Sequence, residues 1–139
     1  MAPLFTGLKL GFGRSAAAFS ATGGTIITNG SYTYHIFLSP GSFVVSSVPG
    51  TIDYLVVAGG GGSYSGAGGG AGGVLDGTSY SISSGTYAIT VGAGATANSP
   101  SAPVSPVPTN GGNSSIGALF TSTGGGSSAP FPTPGHPGG

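Results

Sequence analysis

The alternation of apolar and polar positions along this chain has a period of two. Ser31 to Leu38 sets Tyr32, Tyr34, Ile36 and Leu38 on one side and Thr33, His35 and Phe37 on the other, as a half-buried strand does. Thr25 to Thr28 comes before it, and Asn29-Gly30 between the two is a strong hairpin signal. Ser39-Pro40-Gly41 is a turn, Ser42 to Ser46 a strand with Phe43 and Val45 on one face, and Val48-Pro49-Gly50 a further turn. Thr51 to Ala58 reads as the next strand and ends in the β-branched run Tyr54-Leu55-Val56-Val57-Ala58. Asp76-Gly77 is another turn signal, and beyond it Ser79 to Ser83 and Thr86 to Val91 alternate cleanly about Ser84-Gly85. Ile116 to Phe120 completes the set as a single strand. Turns recurring roughly every 8–12 residues predict an all-β fold. The expected architecture is a small antiparallel β-sandwich with glycine-rich loops, preceded by an extended N-terminal arm. Its expected core is Tyr34, Ile36, Phe43, Val45, Leu55, Val57, Ile82, Tyr87, Ile89 and Val91.

Between the strands lie stretches that a hydrophobic core cannot order. Gly59-Gly60-Gly61-Gly62 opens a block, residues 59–73, made almost wholly of Gly, Ala and Ser. Such a block offers hardly any side chain to bury, so its order must come from main-chain hydrogen bonds or from neighbouring molecules. Residues 92–112 form a Pro/Ser/Asn-rich loop whose prolines at 100, 103, 106 and 108 suit an extended, polyproline-like path. The expected division is an arm over residues 1–20, a glycine-rich β domain over 21–126 and a Pro/Gly-rich exit tail over 127–139, with the exit character beginning from Thr123. In the arm, Leu4, Phe5, Leu8, Leu10 and Phe12 are large apolar groups punctuated by glycines that oppose a helix. An arm of this kind is expected to dock on another chain.

Composition narrows the function. The 139 residues include 31 glycines without a strict period of three, which excludes collagen. Lys9, Arg14, Asp53 and Asp76 are the only formally charged side chains, for a net charge of zero. Two basic residues cannot neutralise a run of phosphates, so no nucleic-acid partner is expected. A surface so poor in charge favours association over solitary solubility. The absence of cysteine removes disulfides, thiolate metal sites and cysteine nucleophiles. No apolar run approaches the roughly 18 residues that span a bilayer, and the start lacks a secretory h-region. Neither membrane insertion nor a cleaved leader is expected.

Candidate chemistry is thin. The glycines of the 59–73 block match a phosphate-loop pattern in composition alone, because no helix follows and no Lys-Ser/Thr pair closes the loop. No cofactor is therefore expected. His35, Asp53 and one of many serines invite a catalytic-triad reading, but no nucleophile elbow accompanies them, and a cross-strand polar pair is the expectation. No metal-ligand cluster is visible, and His136 sits in the Pro/Gly tail. Most of the six tyrosines and seven phenylalanines fall at strand-face spacing and read as packing. Tyr64 stands alone in the glycine block, and its ring either contacts sugars or lipid head groups or folds back over the strands.

Several segments carry a family resemblance. They are Ala21-Thr22-Gly23-Gly24, Tyr34-His35-Ile36-Phe37, Gly41-Ser42-Phe43-Val44-Val45, Asp53 through Gly62, and Gly69-Gly70-Ala71-Gly72-Gly73-Val74-Leu75. Gly85 through Gly94 and Asn110-Gly111-Gly112-Asn113-Ser114-Ser115 complete the set. Together, over residues 21–126, they resemble the glycine-rich domains of tail fibres, adhesins and other appendage proteins of tailed bacteriophages. The opening Gly7-Leu8-Lys9-Leu10-Gly11-Phe12-Gly13-Arg14-Ser15 resembles the start of marine phage virion proteins. The resemblance implies a β framework carrying glycine loops, in some members packed as polyglycine helices, in a virion protein that is often a trimer. It also implies other virion proteins as partners, bound through the Leu4–Phe12 arm, and in some members loops that touch host surface glycans. The short glycine block here, with no long distal region after residue 126, points toward anchoring or decoration. A tail-fibre-like appendage is the leading expectation, with a host-binding adhesin and a capsid-decoration or head-fibre protein as alternatives.

Overall fold

The computed structural model describes residues 18–46, 49–64, 67–97 and 108–128. Among them there is no helix, and nine strands run antiparallel to their neighbours: β1 (Ala21–Thr22), β2 (Thr25–Asn29), β3 (Tyr32–Ile36), β4 (Gly41–Val45), β5 (Gly50–Val57), β6 (Val74–Ile82), β7 (Gly85–Thr90), β8 (Ser114–Ile116) and β9 (Phe120–Ser122). The fold is small, all-β and antiparallel, as the period of two implies.

A five-stranded sheet in the order β1-β4-β7-β8-β9 forms the floor. It is a meander broken by excursions: the β2–β3 hairpin leaves between β1 and β4, and the β5–β6 ribbon leaves between β4 and β7. The anticipated turns are mostly real, but apart from the β2–β3 hairpin they do not join paired strands. At Ser83–Ser84 the chain crosses from the ribbon to the floor sheet, so β6 and β7 each pair elsewhere. Asp76-Gly77, a turn signal by composition, lies inside β6. The stretch 116–120 is not one strand, because Gly117, at φ 51°, reverses the chain between β8 and β9. The β2–β3 turn is centred on Gly30-Ser31, one residue later than Asn29-Gly30 suggests, with Gly30 at φ 61°. Positive φ at the first central position alone is the hairpin geometry that glycine favours.

The core lies where the ribbon meets the floor. Phe43, Val45, Ile82 and Ile89 are buried there, with Val45 and Ile82 each at 2 % exposure, and Ile52, Tyr80, Tyr87, Val91 and Ile116 pack around them. Tyr54 stacks on Phe120 with ring centroids 3.9 Å apart, and Tyr80 meets Phe120 edge-on at 4.7 Å. Four expected core residues point outward instead: Tyr34, Ile36, Leu55 and Val57. In β5 it is Ile52, Tyr54 and Val56 that face inward, and in the 33–37 stretch it is His35 and Phe37. A strand's two faces differ by one residue of register, and here both faces are apolar enough to be misassigned.

A β-bulge fixes the ribbon's register. Ile52 pairs with Tyr80 and Tyr54 with Gly77, so Asp53 faces both Thr78 and Ser79. Ser79 has φ 55°, a left-handed conformation unfavourable for a residue with a Cβ. Its amide donates to Asp53 Oδ1 at 2.8 Å, satisfying a donor that the bulge removes from the ladder. Asp53→Ala is expected to lower stability by about 1 kcal/mol, and Asp53→Asn, which keeps an acceptor, by less than half of that. Urea denaturation of the three proteins checks this.

Candidate functional site

The glycine stretches converge on one body. Segment 58–62 follows β5, 69–73 precedes β6, 92–95 follows β7, 109–112 precedes β8, and 123–128 follows β9. Each strand from β5 to β9 thus runs into one glycine-rich rod, and the main chains of the rods bond to one another. Gly59 N–H donates to Gly112 O at 3.0 Å and Gly62 N–H to Thr109 O at 3.0 Å. Ala58 and Gly61 donate to Gly73 and Gly70, and Gly125 and Ser128 donate to Gly59 and Gly62. Residues three apart therefore address the same neighbour, and intervening residues address others, as when Ala95 N–H meets Gly60 O at 2.9 Å. That is the signature of an extended helix with three residues per turn, which has no internal hydrogen bonds and must satisfy its backbone sideways. A β-strand, with its period of two, can bond only left and right. Segment 58–62 reaches all four other rods and is the centre of the bundle.

Close approach makes glycine obligatory at the contacts. A Cβ on Gly59 would overlap Ala93 O, one on Gly61 would overlap Gly126 O, and one on Gly111 would overlap Gly59 O. A Cβ on Gly125 would meet both Gly70 O and Ala71 O. Each of these is main chain held by its own bonds, so no side-chain rearrangement can make room. Three side chains in or beside the 109–112 rod add acceptors for neighbouring rods. Asn113 Oδ1 accepts from Gly124 N–H at 2.9 Å and Asn110 Oδ1 from Ser127 N–H at 2.8 Å, again three residues apart. Ser114 Oγ accepts from Gly92 N–H at 2.9 Å. No buried side-chain polar atom among the described residues lacks a partner.

Sequence reasoning located the glycine block but not these anchors. The available signal was the three-residue spacing of Asn110 and Asn113 around Gly111-Gly112. Gly124 to Gly126, which composition reads as the beginning of an exit tail, belongs to the fifth rod.

The far end of the bundle gathers the rod ends. The space beside Gly62 is filled by Thr96 O and Pro108, and Tyr64 N–H donates to Ser128 Oγ at 2.7 Å. Tyr64 is half-buried there, and Ala67 N–H closes a turn on its carbonyl at 2.9 Å. Leu4, Phe5, Leu8, Leu10 and Phe12 lie outside the described residues.

A second feature is apolar. The β2–β3 hairpin is tied to the rest at its base, where Phe37 packs against Gly23, Gly24 and Gly41, and His35 Nδ1–H donates to Gly23 O at 2.8 Å. A carbonyl can only accept, so Nδ1 carries the proton. The His35 ring meets Phe43 edge-on at 5.1 Å. His35 and Asp53 therefore do not form the expected cross-strand pair: β3 pairs with β2 and β5 with β6, and each side chain is engaged by backbone. No group of three or more metal-ligating side chains gathers among the described residues. The hairpin's outer face presents Ile27, Tyr32, Tyr34, Ile36 and, just beyond β3, Leu38, which is 89 % exposed. Tyr32, Tyr34, Ile36 and Leu38 line one wall of an open cleft of about 1500 Å³, whose other surfaces include Leu55 and Val57 of β5 and Phe43, Ile89 and Ile116 of the floor.

A family model described as a glycine-rich domain matches residues 38–139. No curated protein and no solved structure matches the chain.

Proposed function

The chain belongs to the glycine-rich domain family, and from that premise we propose that it is a non-enzymatic structural component of a tailed-phage virion, an appendage or tail-fibre-like part anchored by its N-terminal arm. The virion setting rests on the resemblance drawn from the sequence. The structural role is supported by one observation above others. Eleven large apolar side chains stand exposed among the described residues of a chain with net charge zero. A solitary soluble protein rarely leaves so much apolar surface open, whereas a subunit of an assembly covers it with neighbours. The bundle suits the role mechanically. Laterally bonded rods transmit force through main chain and need no bulky core, so a thin projection stays stiff. The arm residues Leu4, Phe5, Leu8, Leu10 and Phe12 supply the apolar contacts for anchoring to other virion proteins. Deleting residues 1–14 is expected to reduce incorporation into particles at least tenfold while leaving the circular dichroism of the purified protein unchanged. Undiminished incorporation would contradict anchoring by the arm.

A second reading, host adhesion, is favoured by the placement of Tyr64. It sits two residues beyond Gly62, which meets Thr96 O and Pro108, and its N–H donates to Ser128 Oγ. Surface glycans are the ligand class for such a tip, and binding of the purified protein to host cells, weakened by Tyr64→Ala, is its test.

A further inference from the structure

The β2–β3 hairpin turns its more apolar face outward. Tyr32, Tyr34 and Ile36 line that face of β3, with Ile27 opposite Tyr34 and Leu38 just beyond, while Thr33, His35 and Ile26, itself 51 % exposed, take the other side. Among the described residues no other strand pairs with this hairpin, and an isolated two-stranded hairpin is marginal in water. Its two strands lie before the stretch, residues 38–139, that the family model matches.

We propose that this face is a self-association surface, covered by the same face of a second copy. Three observations select that occupant. The hairpin from Thr25 to Leu38 carries no Asp, Glu, Lys or Arg, so two copies meet without like-charge repulsion, and nothing on the face selects a charged partner. Its polar groups are Tyr hydroxyls beside Thr25 and Asn29, neutral donors and acceptors that complement an identical set. The cleft it borders, about 1500 Å³, exceeds the roughly 300–1,000 Å³ of small-molecule pockets and suits a polypeptide.

The area fits as well. Half-exposed rings offer on the order of 100 Å² each, half of what an aromatic side chain buries, and the aliphatic groups offer similar amounts. Five such side chains from each copy give about 1,000 Å² in total, the size at which specific interfaces begin. Two hairpins packed face to face form a small sandwich about a two-fold axis. The Tyr32 and Tyr34 rings, 6.2 Å apart, form its aromatic stripe.

This inference rests on the structural-component reading above and names the partner for one of its surfaces. The full-length protein at about 100 μM, the concentration range suited to an interface of this modest size, is expected to show the mass of two chains by light scattering. Tyr34→Asp and the milder Ile36→Ser are each expected to halve that mass while leaving the far-ultraviolet circular dichroism unchanged, since the face is uncovered in a single copy. Leu119→Asp, at the β8–β9 turn and away from the cleft lining, is expected to leave the two-chain mass intact. A single-chain mass for the unaltered protein would overturn the proposal, as would a two-chain mass that survives Tyr34→Asp or a three-chain mass lost with it. If particles still required the hairpin while the isolated protein stayed single, self-association would fall and the structural role would stand.

Discussion

Gly125→Ala is expected to destabilise the protein by about 3 kcal/mol or more, while Gly126→Ala, one residue along, changes stability by no more than about 0.5 kcal/mol. The contrast follows from the bundle's geometry. A Cβ on Gly125 would fall on the carbonyl oxygens of Gly70 and Ala71, whereas one on Gly126 would meet nothing within 4 Å. Gly125 also donates to Gly59 O and accepts from Gly111 N–H, so pushing its rod outward breaks bonds on two sides. Forced separation adds lost hydrogen bonds, each about 1 kcal/mol net, to the steric cost. For a domain of this size the shift is on the order of 10 °C in melting temperature. Paired thermal melts of the two variants measure it. Equal melting temperatures would mean that the rods do not approach as closely as the structure has them.

The second large effect concerns which side of the sheets is core. Phe43→Ala is expected to cost about 3–5 kcal/mol and Ile82→Ala about 2–5 kcal/mol, because both side chains fill the layer between ribbon and floor. Leu55→Ala is expected to cost no more than about 0.5 kcal/mol, since that side chain is already 67 % exposed. Urea midpoints with an unchanged slope report the differences. A Leu55→Ala loss matching that of Phe43→Ala would mean that β5 sits in the opposite register.

Strand positions and turns were legible because they are local: alternation and Gly/Pro chemistry mark where the chain extends and where it reverses. Strand partners were not, since β4 finds β1 and β7 across long insertions and no local pattern encodes that. Facing failed for a different reason. Tyr34 and Ile36 form the stronger hydrophobic stripe on their strand, yet the inner side is held by Phe37 over the Gly23, Gly24 and Gly41 backbone and by His35 bonding to Gly23. An apolar stripe signals burial without saying by what, and nothing within the described chain buries this one.

The glycine rods mark the limit of hydrophobic patterning as a guide. Residues 59–62 and 124–126 carry no side chain whose periodicity could be read, and their order arises from bonding among five segments distant in sequence. The demand for order without a core was visible at Gly59 to Gly62, and the resemblance supplied polyglycine helices as one solution. The participation of 109–112 and 123–128 needed the hydrogen bonds themselves.

Native-state amide hydrogen exchange at the bundle centre tests the main-chain account most directly. Gly59, Gly61, Gly111, Gly112 and Gly125 each donate to a carbonyl on another rod at 2.8–3.0 Å. Their amides are expected to exchange only through global unfolding, at rates matching the core residues Val45 and Ile89. Exchange of these glycines at the rate of a free chain, with the sheet amides still protected, would contradict it.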